Sequence, residues 1–97
     1  MKQYVIGLDL GTGGVRAVLV DETGYIAKEA TSAYPMYQPH NGWAEQEGED
    51  WLRASCEVLR SVTQGVPAEC IKALGLTGQM STIIPQDKDM TPLRRAI

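Results

Sequence analysis

Near the start of the chain, one short stretch has residue types in an order that suits phosphate chemistry: Asp9, then Gly11-Thr12-Gly13-Gly14, then Arg16. A carboxylate beside a glycine-rich loop suggests a Mg²⁺-phosphate site. The loop N–H groups would hold phosphate oxygens and the carboxylate the metal. A Walker loop needs Gly-x-x-x-x-Gly-Lys-Ser/Thr, and no Lys lies between Lys2 and Lys28. A dinucleotide fingerprint needs a third Gly opening a helix. Arg16 stands there instead, and the residues after it alternate like a strand. On these letters alone, an ordinary glycine hairpin with an exposed Asp9 also remains open.

The elements that must hold this stretch follow from the apolar pattern. Residues 4–9 and 15–21 are short, β-branched runs and read as buried strands. The glycines between them are expected to supply the positive φ of a tight turn. Glu22-Thr23-Gly24 makes a second turn, and residues 25–33 make a third, less buried strand, completing an antiparallel meander. Residues 34–42 carry Pro35, Pro39, Asn41 and Gly42 and read as a loop. His40, the only His, is expected there as an exposed side chain. From Trp51 onward, Leu52, Ser55, Cys56, Leu59 and Val62 recur at helical spacing. Glu45, Glu47, Glu49 and Asp50 read mostly as a solvated acidic helix start, and Gly65 and Pro67 stop the helix. A helical turn at 67–70 leads into a strand at 71–77. A polar loop of Gly78-Gln79-Met80-Ser81, a short strand at 82–85, a turn at 87–90 and an extended segment from 92 follow. The fold class is α/β.

Composition narrows the function. The net charge is −3 and the only adjacent basic pair is Arg94-Arg95, so nucleic-acid binding has no electrostatic support. No apolar stretch approaches membrane-spanning length. Two cysteines, Cys56 and Cys70, form neither a disulfide framework nor a metal-ligand set. Cys56 is expected buried and reduced on the helix stripe. The start of the chain has no signal-peptide pattern, and the expected setting is the cytoplasm.

The stretch from Asp9 to Arg16 resembles the first phosphate motif of the superfamily that unites actin, heat-shock chaperones and sugar kinases. Its Arg is more like that of the FGGY carbohydrate kinases, and the chain as a whole resembles the xylulokinase-like members. Two later phrases are similar to that narrower family. Gly42-Trp43-Ala44-Glu45-Gln46-Glu47 with Trp51 resembles the lead into its first long helix, although Glu47-Gly48 replaces the common Asp-Pro. Leu74-Gly75-Leu76-Thr77-Gly78-Gln79-Met80-Ser81 resembles the strand and loop that border the sugar. Xylulokinases typically carry Gln-Met-His there and glycerol kinases Gln-Arg-Glu.

The resemblance implies the N-terminal part of an RNase H-like, actin-like ATPase domain that phosphorylates a sugar or polyol with ATP and Mg²⁺. It implies Asp9 as the metal residue and Gly11, Thr12, Gly13 and Arg16 at the phosphates. Gln79, Met80 and Ser81 would lie at the sugar. The general base and the adenosine site are expected outside residues 1–97, which would form a partial domain, inactive alone and prone to self-association through uncovered apolar surface. An actin- or chaperone-like nucleotide-dependent binding protein is the alternative from another class.

Overall fold

The computed structural model of the chain describes residues 1–79 and 82–96. Three strands open it: β1 (Tyr4–Leu10), β2 (Gly14–Asp21) and β3 (Ile26–Ala33). A helix, α1 (Gly48–Thr63), and a single 3-10 turn (Ala68–Cys70) lead to β4 (Ile71–Gly78). The sheet order is β3-β2-β1-β4. The β1–β2 and β2–β3 pairs are antiparallel, as the meander requires, and β4 joins β1 in parallel. A parallel partner needs a crossover, and α1 supplies it.

Alternation along the strands decides what lies on each side of the sheet. Ile6 and Leu8 of β1 and Val15, Ala17 and Leu19 of β2 are buried, and α1 covers them with Ala54, Val58 and Val62. The helix crosses β2 and β3 far more than β1. Its buried line therefore differs from the expected one. Leu52 is 67% exposed and Cys56 only half-buried, whereas Ala54 is fully buried. Ala54, Val58 and Val62 follow at i, i+4 and i+8, and the small Ala54 lets the helix approach the sheet closely. Leu52 and Ser55 instead face a groove shared with Leu76 and Ile84.

The β2–β3 turn is built by Asp21. Its Oδ1 accepts from the Thr23 hydroxyl at 2.6 Å, the Thr23 N–H at 2.9 Å and the Tyr25 N–H at 3.1 Å. These bonds, the Thr23 hydroxyl first, hold the Asp21 carboxyl at about 2, below its ordinary 3.8.

Two expectations beyond β4 need correction. Residues 82–85 form no strand, and among the described residues from 92 onward the pairing is limited to isolated bridges, Gln86 with Pro92 and Gln46 with Ala96. Pro85 and Pro92 lack the N–H groups that a continuous ladder requires. The turn at 87–90 is present, with Met90 at φ 65°.

Candidate functional site

The face of the sheet away from α1 is open. In the paired register Asp9 stands between Arg16 on β2 and Thr77 on β4. One step back along the strands, Gly7 pairs with Val18 and Gly75. With no side chains at Gly7 and Gly75, a cleft of about 560 Å³ opens over the sheet, walled by Asp9, Arg16 and Thr77. A Cβ on Gly7 would come within 3.2 Å of Val18 Cγ2. Asp9 is exposed, and its carboxylate has no hydrogen bond or ion pair among the described residues. Arg16 is also exposed, and it pairs with Glu29 of β3 at 2.7 Å. Glu29 was not singled out in the sequence, and it offsets part of the charge expected of Arg16.

The turn at residues 11–14 sits at the end of this cleft. Its glycines do not adopt positive φ, contrary to expectation; that conformation occurs at Gly24, Gly42 and Gly65. Gly14 is needed for close approach, because a Cβ there would lie 2.6 Å from the carbonyl oxygen of Ser32. The Gly11 N–H, expected at the phosphates, closes the hairpin by donating to Gly14 O at 2.9 Å.

Every carbonyl of the turn is tied back into the chain. The Tyr34 hydroxyl donates to the carbonyls of Gly11 and Gly14, and the Tyr34 N–H donates to Gly13 O at 3.3 Å. Gln46 Nε2 donates to Thr12 O at 2.6 Å. In a trans peptide the C=O and the following N–H point opposite ways. Tyr34, by holding the Gly11 carbonyl inward, turns the Thr12 N–H outward, and Gln46 does the same for the Gly13 N–H. Neither of these N–H groups has a partner among the described residues. Two outward amides with their carbonyls fastened behind them are groups that could receive an anion, in the manner of a backbone nest. Burial, reinforced by the charge of Asp9, raises the pKa of the Tyr34 hydroxyl.

The third stretch reaches the same place. The Gln79 N–H donates to Leu10 O at 2.9 Å, extending the β1–β4 ladder by one residue. Gln79 Nε2 donates to Gln46 Oε1 at 2.7 Å, and the Thr12 hydroxyl lies 3.4 Å from Gln79 Oε1. The expected substrate residues Met80 and Ser81 lie outside the described residues. Gln46, which joins the turn to Gln79, was not picked as a site residue, although it sits inside the phrase quoted for the helix lead. Its signal was a neutral amide between two acids.

The acidic lead is not a solvated helix start at its first two positions. Glu45 is buried and pairs with Arg94 at 2.5 Å, and Glu47 pairs with Arg95 at 2.5 Å. Glu47 gives α1 no side-chain cap. Arg95 also lies over the Tyr37 ring, 3.9 Å from its centre. His40 is an exposed loop side chain, edge-on to Trp43.

Among the described residues no group of three or more His, Cys, Asp or Glu is placed to hold a metal. A single unpartnered carboxylate fits Mg²⁺, which keeps several waters and binds through one or two carboxylates plus substrate phosphates. Among those residues no helix is long and apolar enough to cross a membrane.

The chain belongs to the FGGY family of carbohydrate kinases, whose N-terminal domain matches residues 4–97. That membership decides against the actin- or chaperone-like alternative. The chain is 37% identical to a xylulose kinase of Bacillus subtilis (strain 168) over 97 residues, covering 98% of this chain and 19% of the relative. It is 37% identical to a glycerol kinase of Rippkaea orientalis over 99 residues, covering 99% of this chain and 20% of that one. A crystal structure described as a xyloylose kinase from Brucella ovis superimposes with a TM-score of 0.90 at 33% identity, covering 98% of this chain and 20% of that chain. The chain thus spans about a fifth of the length of the curated relatives it matches.

Proposed function

We propose that the chain supplies the phosphate nest and one border of the sugar site of an ATP-dependent carbohydrate kinase that transfers a phosphoryl group to a sugar or polyol hydroxyl. The observation that carries this reading is the partition at the turn. Its carbonyls are tied inward by Tyr34 and Gln46, which leaves the Thr12 and Gly13 N–H groups facing outward beside Asp9, whose carboxylate has no hydrogen bond or ion pair among the described residues. Phosphoryl transfer depends on positioning and charge neutralisation more than on covalent chemistry, and these groups provide both.

In this reading the Thr12 and Gly13 amides bind terminal phosphate oxygens, and Asp9 holds Mg²⁺ through water. When bound, Mg²⁺ neutralises the phosphate charge and orients the phosphates. Arg16 contributes positive charge, tempered by Glu29. Gln79, with Met80 and Ser81, borders the sugar. No residue among the 97 is assigned as general base, and residues 1–97 alone are expected to be inactive. The span of about a fifth of the relatives' length supports placing the rest of the catalytic apparatus elsewhere. A cytoplasmic setting belongs to the same proposal, supported by the free thiols of Cys56 and Cys70.

A panel of ketoses, polyols and glycerol with Mg-ATP, assayed on the protein that carries this domain, tests the reading. A ketose or larger polyol is expected to give the highest kcat/KM. Met80 and Ser81 replace the charged pair that glycerol kinases typically carry. Glycerol as the best substrate would overturn the specificity, and no phosphorylated product from any member would overturn the function.

A further inference from the structure

Resting on the kinase reading above, we propose that Gln46 is a positioning residue that couples the phosphate nest to the sugar-side residue Gln79. Three stretches far apart in sequence meet at its side chain. Gln46 is 3% exposed, and both ends of its amide are committed. Nε2 donates to Thr12 O at 2.6 Å. Oε1 accepts from Gln79 Nε2 at 2.7 Å and from Trp51 Nε1 at 3.2 Å.

The orientation of that amide is forced. The Trp51 indole is only a donor, so it must meet the Gln46 oxygen. The Thr12 carbonyl is only an acceptor, so it must meet the nitrogen. The Gln46 main chain is fixed as well, exchanging two hydrogen bonds with Ala96 at 3.1 and 2.8 Å. The side chain therefore works as a strut with a fixed base. One end sets the Thr12–Gly13 peptide and so aims the Gly13 N–H at the anion. The other end sets the Gln79 side-chain amide. When the nest closes on a phosphate and the Thr12–Gly13 peptide moves, Gln46 transmits the shift to Gln79. A sugar hydroxyl held by Gln79 is thereby kept in register with the phosphate. A residue that only glued loops together would not carry a ligand's signal from one side to the other.

The test is an NMR titration of the 97-residue chain with Mg-pyrophosphate, following the Thr12 and Gly13 backbone amides and the Gln79 side-chain amide. In the wild type all three are expected to shift along one saturation curve. In Gln46→Met, which keeps the length and loses all three side-chain hydrogen bonds, the Thr12 amide, aimed by Tyr34, still responds. The Gln79 response there falls at least fivefold in amplitude. Gln46→Glu, which sets an acceptor against the Thr12 carbonyl, should behave alike and serves if the first variant loses spectral dispersion. A Gln79 response that is undiminished in either folded variant overturns the coupling while leaving the phosphate nest intact. A wild-type titration that moves Thr12 and Gly13 but not Gln79 does the same without any variant. No response at Thr12 or Gly13 in the wild type removes the phosphate reading and this inference with it.

Discussion

The hydroxyl of Tyr34 lies 3.1 Å from the carbonyl oxygen of Gly14 and reaches the carbonyl of Gly11 as well. A buried side chain from the loop after β3 thus fastens the turn after β1. Tyr34→Phe keeps the ring and leaves two carbonyls without this donor. A loss of about 1–2 kcal/mol of stability is expected. The Thr12 amide should lose more of its response to Mg-pyrophosphate than the Gly13 amide, which Gln46 still aims. Thermal melting and the same NMR titration check both parts, and equal loss at the two amides would count against the division of labour.

Asp9 has no partner among the described residues, so its replacement removes no internal bond. Asp9→Asn should leave the melting temperature of the chain within a degree or two. On the proposed function, in the protein that carries this domain it should cut kcat steeply while sugar Kd changes less than twofold, because the proposed charged metal partner would be lost where the phosphoryl group needs neutralising. Steady-state kinetics with a sugar-binding titration decides it. Near-normal turnover would remove Asp9 from the metal role.

With the nest open to solvent on one side, screening weakens its hold on an anion. The 97-residue chain alone should bind Mg-ATP with a Kd closer to millimolar than micromolar, about 4 kcal/mol of binding free energy. Titration calorimetry measures it, and micromolar binding would show that the rest of the nucleotide is also recognised by these residues.

Asp21 makes stability depend on pH at the acid end. Its carboxyl titrates near 2 in the fold, against an ordinary 3.8, so the unfolded chain takes up its proton first. The stabilisation is fully present above about pH 4. It declines as pH falls and is lost once pH has passed through about 2. Melting temperatures of wild type and Asp21→Asn should therefore converge between pH 4 and 2 and stay apart above that window. Parallel curves down to pH 2 would exclude the effect.

The apolar side chains left uncovered predict association. Leu52 at 67% and Leu76 at 66% exposure line one groove beside β4, and β4 is an edge strand. Such surfaces pair with one another. Sedimentation of the isolated chain at micromolar concentration should give species larger than a monomer. A single monomeric boundary with a cooperative melt would contradict this.

Much of the fold could be read from the letters because its signals are local. The short β-branched runs at 4–9 and 15–21, each within one residue of the observed strand, Gly24 in its turn and Gly65 after the helix are each decided by neighbours in sequence. The helix buries Val62 as expected but departs at Leu52 and Cys56, because the sheet accepts the smaller Ala54 in their place. Of the candidate site, the positions of Asp9, Thr12 and Gly13 at a glycine turn between two strands were legible. Tyr34, Gln46 and Glu29 were not, since each acts on a partner fixed only by tertiary structure. The buried state of Glu45 likewise depends on Arg94, 49 residues away.

That distance has a kinetic side. The backbone bridge between Gln46 and Ala96 and the ion pairs beside it fasten the base of a long loop that contains α1 and β4. Hairpins between neighbouring strands close quickly, whereas a contact across so many residues waits on the slower search for a distant partner. The β1–β2–β3 meander should be in place while the strut at Gln46 is still unanchored. Competence to grip an anion would then arrive as the last event of folding, after the scaffold that carries it is already formed.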